Sequence, residues 1–286
     1  MKHKMIWSML RQTLAKWNEH EAPRLGAALA FYTILSLAPL MILVIAIVSV
    51  FFGHSTAQAQ ILNQVENMIG PQGAEAVKAM IEHGQEPASG AIASLIGVVT
   101  LLFGASGVFG ELRSALNKMW DAKPEAEGGI WSAIKQRFFS FGMVLAVGFL
   151  LLVSLLISAA LATLEKYGSS LLPMPGSVLN IINFVISLAA IAVLFALIFR
   201  YVPATTKIAS RSVWVGATAT ALLFTIGKFL IGLYLGKAAV GSAYGAAGSL
   251  VVVIVWVYYS ALIFLFGAEF THVLDSTDRE PNGQSS

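Results

Sequence analysis

Six long apolar stretches, at about 27–52, 91–110, 138–163, 179–199, 212–235 and 247–272, dominate this chain, and cations gather in alternate connections between them. Each is close to the ~20 residues that carry a helix across a hydrocarbon core. With no water to satisfy backbone N–H and C=O groups there, such stretches must close their hydrogen bonds internally as helices. Fourteen of the seventeen Lys and Arg residues outside the stretches lie in the leader, the second and fourth connections and the tail. The other three connections hold only Lys78, Lys166 and Lys237. The positive-inside rule then predicts both termini in the cytoplasm and the connections 53–90, 164–178 and 236–246 outside.

The expected fold is therefore all-α: a polytopic bundle of six transmembrane helices with amphipathic surface helices. Its expected parts are a cytoplasmic amphipathic leader (1–26), a transmembrane domain (27–274) and a polar cytoplasmic tail (275–286). A chain that is 57% apolar and 12% charged could not bury its apolar surface in a soluble fold of 286 residues. The net charge of +3 sits where membrane orientation demands it, and cations and aromatics are not interleaved on any soluble surface, so no nucleic-acid partner is expected. The absence of cysteine excludes disulfides, thiolate metal sites and a cysteine nucleophile.

In the leader, Ile6, Leu10, Leu14 and Trp17 recur at helical spacing among basic residues, which suits a helix lying on an anionic leaflet. Pro23 fits a helix start. The long connection 53–90 reads as two short helices forming a lid. Ile61, Leu62, Val65, Met68 and Ile69 make one apolar face, Gly70-Pro71 makes a break, and Ala76, Val77, Met80 and Ile81 make a second face. Leu112, Leu116, Met119 and Trp120 alternate with charges, so the second spanning helix is expected to run on along the inner surface.

Polar residues within the stretches call for a reason. Gly97, Thr100, Gly104, Gly107 and Glu111 place small residues on one helix face with a carboxylate at its inner end, a pattern that permits close helix packing or a lined passage. Pro39 removes a backbone donor within the first stretch. Lys228 lies about 25 Å beyond Arg211 along its helix, in the outer third. At about 100° per residue it shares a face with Ala217, Ala221, Thr225 and Gly232, opposite Leu222, Leu223, Ile226, Leu230 and Leu233. Lys228 should therefore face the protein, either packed or snorkelling, or lining an outer cavity for an anion or a lipid headgroup. Glu111 and Glu269 fall at the inner ends of two stretches, where Arg24, Arg113 and Arg200 also lie, so carboxylate–guanidinium pairing is expected, as a structural network or a relay. Tyr258 and Tyr259 lie deeper than an interfacial belt and their hydroxyls need partners.

Enzyme chemistry has little support. The five histidines are scattered, and no Walker A loop, GxSxG or metal-binding Asp cluster is present, so neither cofactor nor metal is expected.

Several segments carry a family resemblance: 24–40 (RLGAALAFYTILSLAPL), 104–120 (GASGVFGELRSALNKMW), 244–273 (YGAAGSLVVVIVWVYYSALIFLFGAEFTHV), 198–203 (IFRYVP) and 227–235 (GKFLIGLYL). Together they resemble the YihY/virulence factor BrkB family, over nearly the whole chain. The resemblance implies a six-helix protein of the bacterial inner membrane. Its members were long labelled ribonuclease BN, and others are linked to virulence or to envelope-lipid transport. Glu111, Lys228 and Glu269 fall within the family's motifs.

The expected function is a transporter or flippase-like handler of an amphipathic anion or envelope lipid. Lys228, with Thr225 and Tyr258, would form the substrate site; Arg24, Glu111, Arg113, Arg200 and Glu269 would form an inner gate. A scaffold organising envelope partners is the alternative, and a ribonuclease a weaker one. The expected partners are membrane lipids and an anionic lipid or solute, with a homo-oligomer left open.

Overall fold

The computed structural model describes residues 2–85, 107–122, 176–203, 208–237 and 247–279, and among these the chain is all helical, with no strand. In order, the helices are α1 (Lys2–Glu19), α2 (Ala22–Phe52), α3 (His54–Gln85), α4 (107–119), α5 (Gly176–Tyr201), α6 (Ser210–Lys237) and α7 (Gly248–Arg279). The apolar stretches at 27–52, 179–199, 212–235 and 247–272 coincide with α2, α5, α6 and α7. The stretch at 138–163, and most of that at 91–110, lie outside the described residues. Three helices are long and apolar enough to cross a membrane: Phe184–Tyr201, Ser210–Tyr234 and Gly248–Arg279. Ala22–Leu37 adds a shorter apolar helix.

Helix α7 is the axis of the bundle, packing against α1, α2, α3 and α6, while α5 packs on α6. Two apolar cores follow its length. Near its C-terminal half, Leu25 and Leu29 of α2 meet Leu116, Met119 and Trp120 of α4, Phe195 and Phe199 of α5, Ala217 and Ala221 of α6, and Phe264, Leu265 and Ala268 of α7. Near its N-terminal half, Ala30 and Ile45 of α2 and Val253 and Val257 of α7 are covered by Ile69, Ala76, Val77 and Ile81 of α3. The apolar faces read in 53–90 thus pack on α2 and α7. The break expected at Gly70-Pro71 is present: Gly70 adopts φ 80°, ψ 173°, a conformation that glycine supplies without steric cost. Pro23 stands in the first turn of α2, and α2 continues as helix through Pro39.

Outward-facing Phe31, Leu35, Phe184, Val185, Ile226, Phe229 and Leu230 are exposed, which suits lipid as solvent. Where lipid replaces water, helices gain little from burying apolar faces, and association rests on close packing through small residues. Gly107, the innermost glycine of the seam read in the sequence, does this. A Cβ there would come 2.8 Å from Cδ1 of Tyr32 on α2. Gly97, Thr100 and Gly104 lie outside the described residues.

A helix is present over 107–119, where the second span was expected to run on along the inner surface, and its apolar side is packed inward. Leu116, Met119 and Trp120 are fully buried beneath α7. A buried indole needs a hydrogen-bond acceptor, and Trp120 Nε1 finds the Ala268 carbonyl of α7 at 2.8 Å. Edge contact with Phe199 on α5 completes the anchor, so α4 is wedged between two helices.

Candidate functional site

Three chain segments converge at one end of the bundle, the end that the charge pattern assigns to the cytoplasm: the α1–α2 corner, the end of α4 and the C-terminal turns of α7. Two acidic residues form its corners, and both have left-handed backbone conformations, Glu21 at φ 57° and Asp121 at φ 50°. Outside glycine such values are uncommon. Glu21 ends α1 and opens α2 at once, its carbonyl accepting from the N–H groups of Arg24 and Leu25. Asp121 ends α4 in the position usually taken by glycine: Ala122 N–H donates to the Asn117 carbonyl, closing the helix with a six-to-one bond at 2.9 Å. A carboxylate there is opposed by the helix dipole and needs compensating cations.

Its partners, one lysine and two imidazoles, come from two helices. Asp121 lies 3.7 Å from Lys16 Nζ, 3.3 Å from His20 Nε2 and 3.6 Å from His272 Nε2. The other ring nitrogen of His20, Nδ1, lies 2.9 Å from Oε2 of Glu269. Glu269 is 0% exposed, and its second oxygen, Oε1, has no hydrogen-bond partner among the described residues. Glu21 is met by Lys118 at 2.7 Å and Arg24 at 2.6 Å. The hydrogen bond from Lys118, then the Arg24 charge, hold its carboxyl below the usual carboxylate range. The result is a buried carboxylate joined through one imidazole to a solvent-facing one.

Of the gate residues read in the sequence, the structure brings Glu269 into this cluster but gives it a histidine rather than an arginine. Arg24 is at the edge of the cluster, turned to Glu21. Arg200 stands apart: its guanidinium donates to the Ile208 carbonyl at 3.2 Å and walls a groove of about 210 Å³ with Tyr201, Ser210 and Trp214. Glu111 and Arg113 are half-buried on α4, and no ion pair joins Glu111 to another described residue. His20, Asp121 and Lys16 were not anticipated as site residues, and the signal for them is weak: a lone histidine at the end of an amphipathic leader and an aspartate after Trp120.

On α6, Ala217 and Ala221 are buried, Thr225 and Lys228 are half-buried, and Leu222, Leu223, Ile226, Leu230 and Leu233 are exposed. Thr225 donates its hydroxyl to the Ala221 carbonyl at 2.8 Å. Gly232, expected beside Lys228, is exposed instead. Tyr258 lies elsewhere, in the wall of an apolar groove of about 500 Å³ between α2 and α7, with Ala27, Ala30, Phe31, Ile34, Leu35, Leu250 and Ile254. Neither tyrosine hydroxyl, Tyr258 or Tyr259, finds a hydrogen-bond partner among the described residues. Among these residues no three His, Asp or Glu side chains converge to hold a metal ion.

The family model described as virulence factor BrkB matches residues 13–286. The chain is 27% identical to a UPF0761 membrane protein of Pseudoalteromonas atlantica, covering 96% of this chain and 92% of the relative. It is 26% identical to the UPF0761 membrane protein MS0032 of Mannheimia succiniciproducens, over 91% and 86% of the two chains. It is 23% identical to the ribonuclease-like protein YfkH of Bacillus subtilis, over 96% and 98%. No solved structure matches the chain.

Proposed function

The chain belongs to the virulence factor BrkB family of membrane proteins, and from that premise we propose that it is a transporter or flippase-like handler of an amphipathic anion or envelope lipid in the bacterial inner membrane, with both termini cytoplasmic. The observation that carries this reading is the groove between α2 and α7. Its walls are almost wholly apolar, and Ala27, Phe31 and Leu35 line it at helical spacing. Counting back along α2 at about 100° per residue, Arg24 falls on this same face, roughly 10 Å inward of Phe31. Its guanidinium is largely exposed. An apolar track ending at a guanidinium matches an acyl chain with an anionic head, since Arg pairs well with phosphate or carboxylate. Lys228, half-buried on the small-residue face of α6, would attract the anionic group from the outer side. The charged cluster beneath the bundle, with Arg200 and Arg113 flanking it, would close the inner side.

The test is lipid retention in native mass spectrometry, with phosphatidylglycerol set against phosphatidylcholine. Ala27→Phe fills the groove without changing charge and should lose the anionic lipid; Arg24→Gln should lose the preference between the two. Unchanged retention and preference in both variants would end this reading and favour a scaffold that only organises envelope partners. The nuclease reading rests on the names given to relatives, among them the ribonuclease-like protein of Bacillus subtilis.

A further inference from the structure

We propose that Glu269 and His20 form a proton-binding site supplied through Asp121, so that the ion coupled to movement of the substrate is H⁺; this rests on the transport reading above. An ionised carboxylate removed from water is costly unless its lone pairs are met. Glu269 is fully buried, yet only Oε2 is engaged, by His20 Nδ1 at 2.9 Å, while Oε1 has no partner among the described residues. Among the described residues no second cation pairs with Glu269. Lys16 reaches Asp121, His272 does the same from α7, and Arg24 and Lys118 are taken by Glu21. Asp275, nearly two turns further along α7, is occupied by the Ala209 N–H and by Arg279. Calcium or magnesium would require several oxygen ligands, and Glu269 offers one free oxygen with no converging donors among the described residues. A proton is the cation that fits.

The path to it is laid out by the same distances. Asp121 is 60% exposed, and its Oδ1 lies 3.3 Å from His20 Nε2. Asp121 takes a proton from water and gives it to Nε2, while the proton on Nδ1 passes to Oε2 of Glu269. Asp121 is again a carboxylate, His20 is again neutral with its proton now on Nε2, and Glu269 is a neutral acid. An imidazole is suited to this because its two nitrogens exchange donor and acceptor roles. The left-handed turn at Asp121 sets the carboxylate at the mouth of the path. Neutralising Glu269 also weakens the tie between the end of α1 and α7, beside the point where Trp120 anchors α4 to the Ala268 carbonyl, so protonation reaches three helices at once.

The experiment reads the proton itself, in detergent without added lipid, by difference infrared spectroscopy after an acid jump. Wild-type protein should gain a protonated-carboxyl band that is missing from Glu269→Gln. Asp121→Asn, on the surface and tolerant of the left-handed turn, should show the same band forming about 10²-fold more slowly, the low end of what a positioned acid–base group contributes. A band that persists unchanged in Glu269→Gln, or Asp121→Asn protonating at the wild-type rate, would overturn the proposal. The second comparison decides even if Glu269→Gln does not fold. Because no substrate is present, a failed lipid-retention test leaves this readout intact, and the reverse holds too.

Discussion

Thr271 of α7 lies directly over Gly216 of α6, so closely that a methyl added to Gly216 would collide with the threonine hydroxyl. The relation is reciprocal one turn away: Thr220 of α6 covers Gly267 of α7 in the same manner. Each hydroxyl is satisfied within its own helix, Thr220 donating to the Gly216 carbonyl and Thr271 to the Gly267 carbonyl, both at 2.7 Å. Two Gly-x-x-x-Thr segments thus interlock as an antiparallel pair. Lipid supplies little drive for helices to associate, so this close approach is what holds α6 to the axis. Gly216→Ala should destabilise the protein by about 1–3 kcal/mol, as overpacking does elsewhere. A lower melting temperature in detergent, partly restored by Thr271→Ala in the same chain, which removes the colliding hydroxyl, is the expected result. An unchanged melting curve for Gly216→Ala would mean that the helices part without cost.

This pairing shows where sequence reasoning reached and where it stopped. Apolar length and the 3.6-residue period made α6 legible, with Ala217 and Ala221 buried opposite the exposed Leu222, Ile226 and Leu230. The break at Gly70 was legible too, because Gly-Pro punctuates a chain locally. Contacts between distant segments leave no such mark. His20 and Glu269 are 249 residues apart, and their pairing depends on the fold, so an arginine at equal depth looked the better partner for the carboxylate. The anchor of Trp120 was hidden for the same reason: the Ala268 carbonyl that accepts its N–H is invisible in the local pattern.

Glu269→Ala leaves His20 without its buried partner, and Glu269→Gln keeps an acceptor while removing the charge. Breaking one side of a buried pair costs about 3–5 kcal/mol when a lone charge remains. Glu269→Ala should therefore lower the melting temperature, and Glu269→Gln should lower it less. Equal curves for wild type and both variants would make the carboxylate a bystander in folding.

Topology can be read on a clean background, since the chain contains no cysteine. Single cysteines at Ser55, Ser169 and Ser242 should react with an impermeant thiol reagent in intact spheroplasts, as the cation distribution requires. Protection at Ser55 and Ser242, together with labelling near the N-terminus, would turn the whole arrangement over.

Purified protein, freed of host ribonucleases, should not cleave tRNA precursors, because the acid–base chain Asp121–His20–Glu269 ends on a buried carboxylate and among the described residues no side chains converge to hold a metal-bound water. Cleavage that survives successive columns and disappears with a point substitution in this chain would reinstate the nuclease reading.

Lys228 offers the sharpest test of the outer half of the proposal. It is half-buried on α6, on the side of Ala217 and Ala221 rather than among the exposed leucines, and the proposal is that its ammonium faces a cavity between helices. A point cation in a partly dry setting attracts phosphate or carboxylate far better than one in bulk water. Lys228→Met keeps the apolar stem and removes the charge, so folding should be spared while anionic lipid is lost. Lys228→Arg should retain part of the binding. Thermal shifts against anionic and zwitterionic lipids, with the three proteins side by side, make the measurement. If all three respond alike, the lysine only snorkels toward the headgroups, and the anion must be recognised at Arg24 instead.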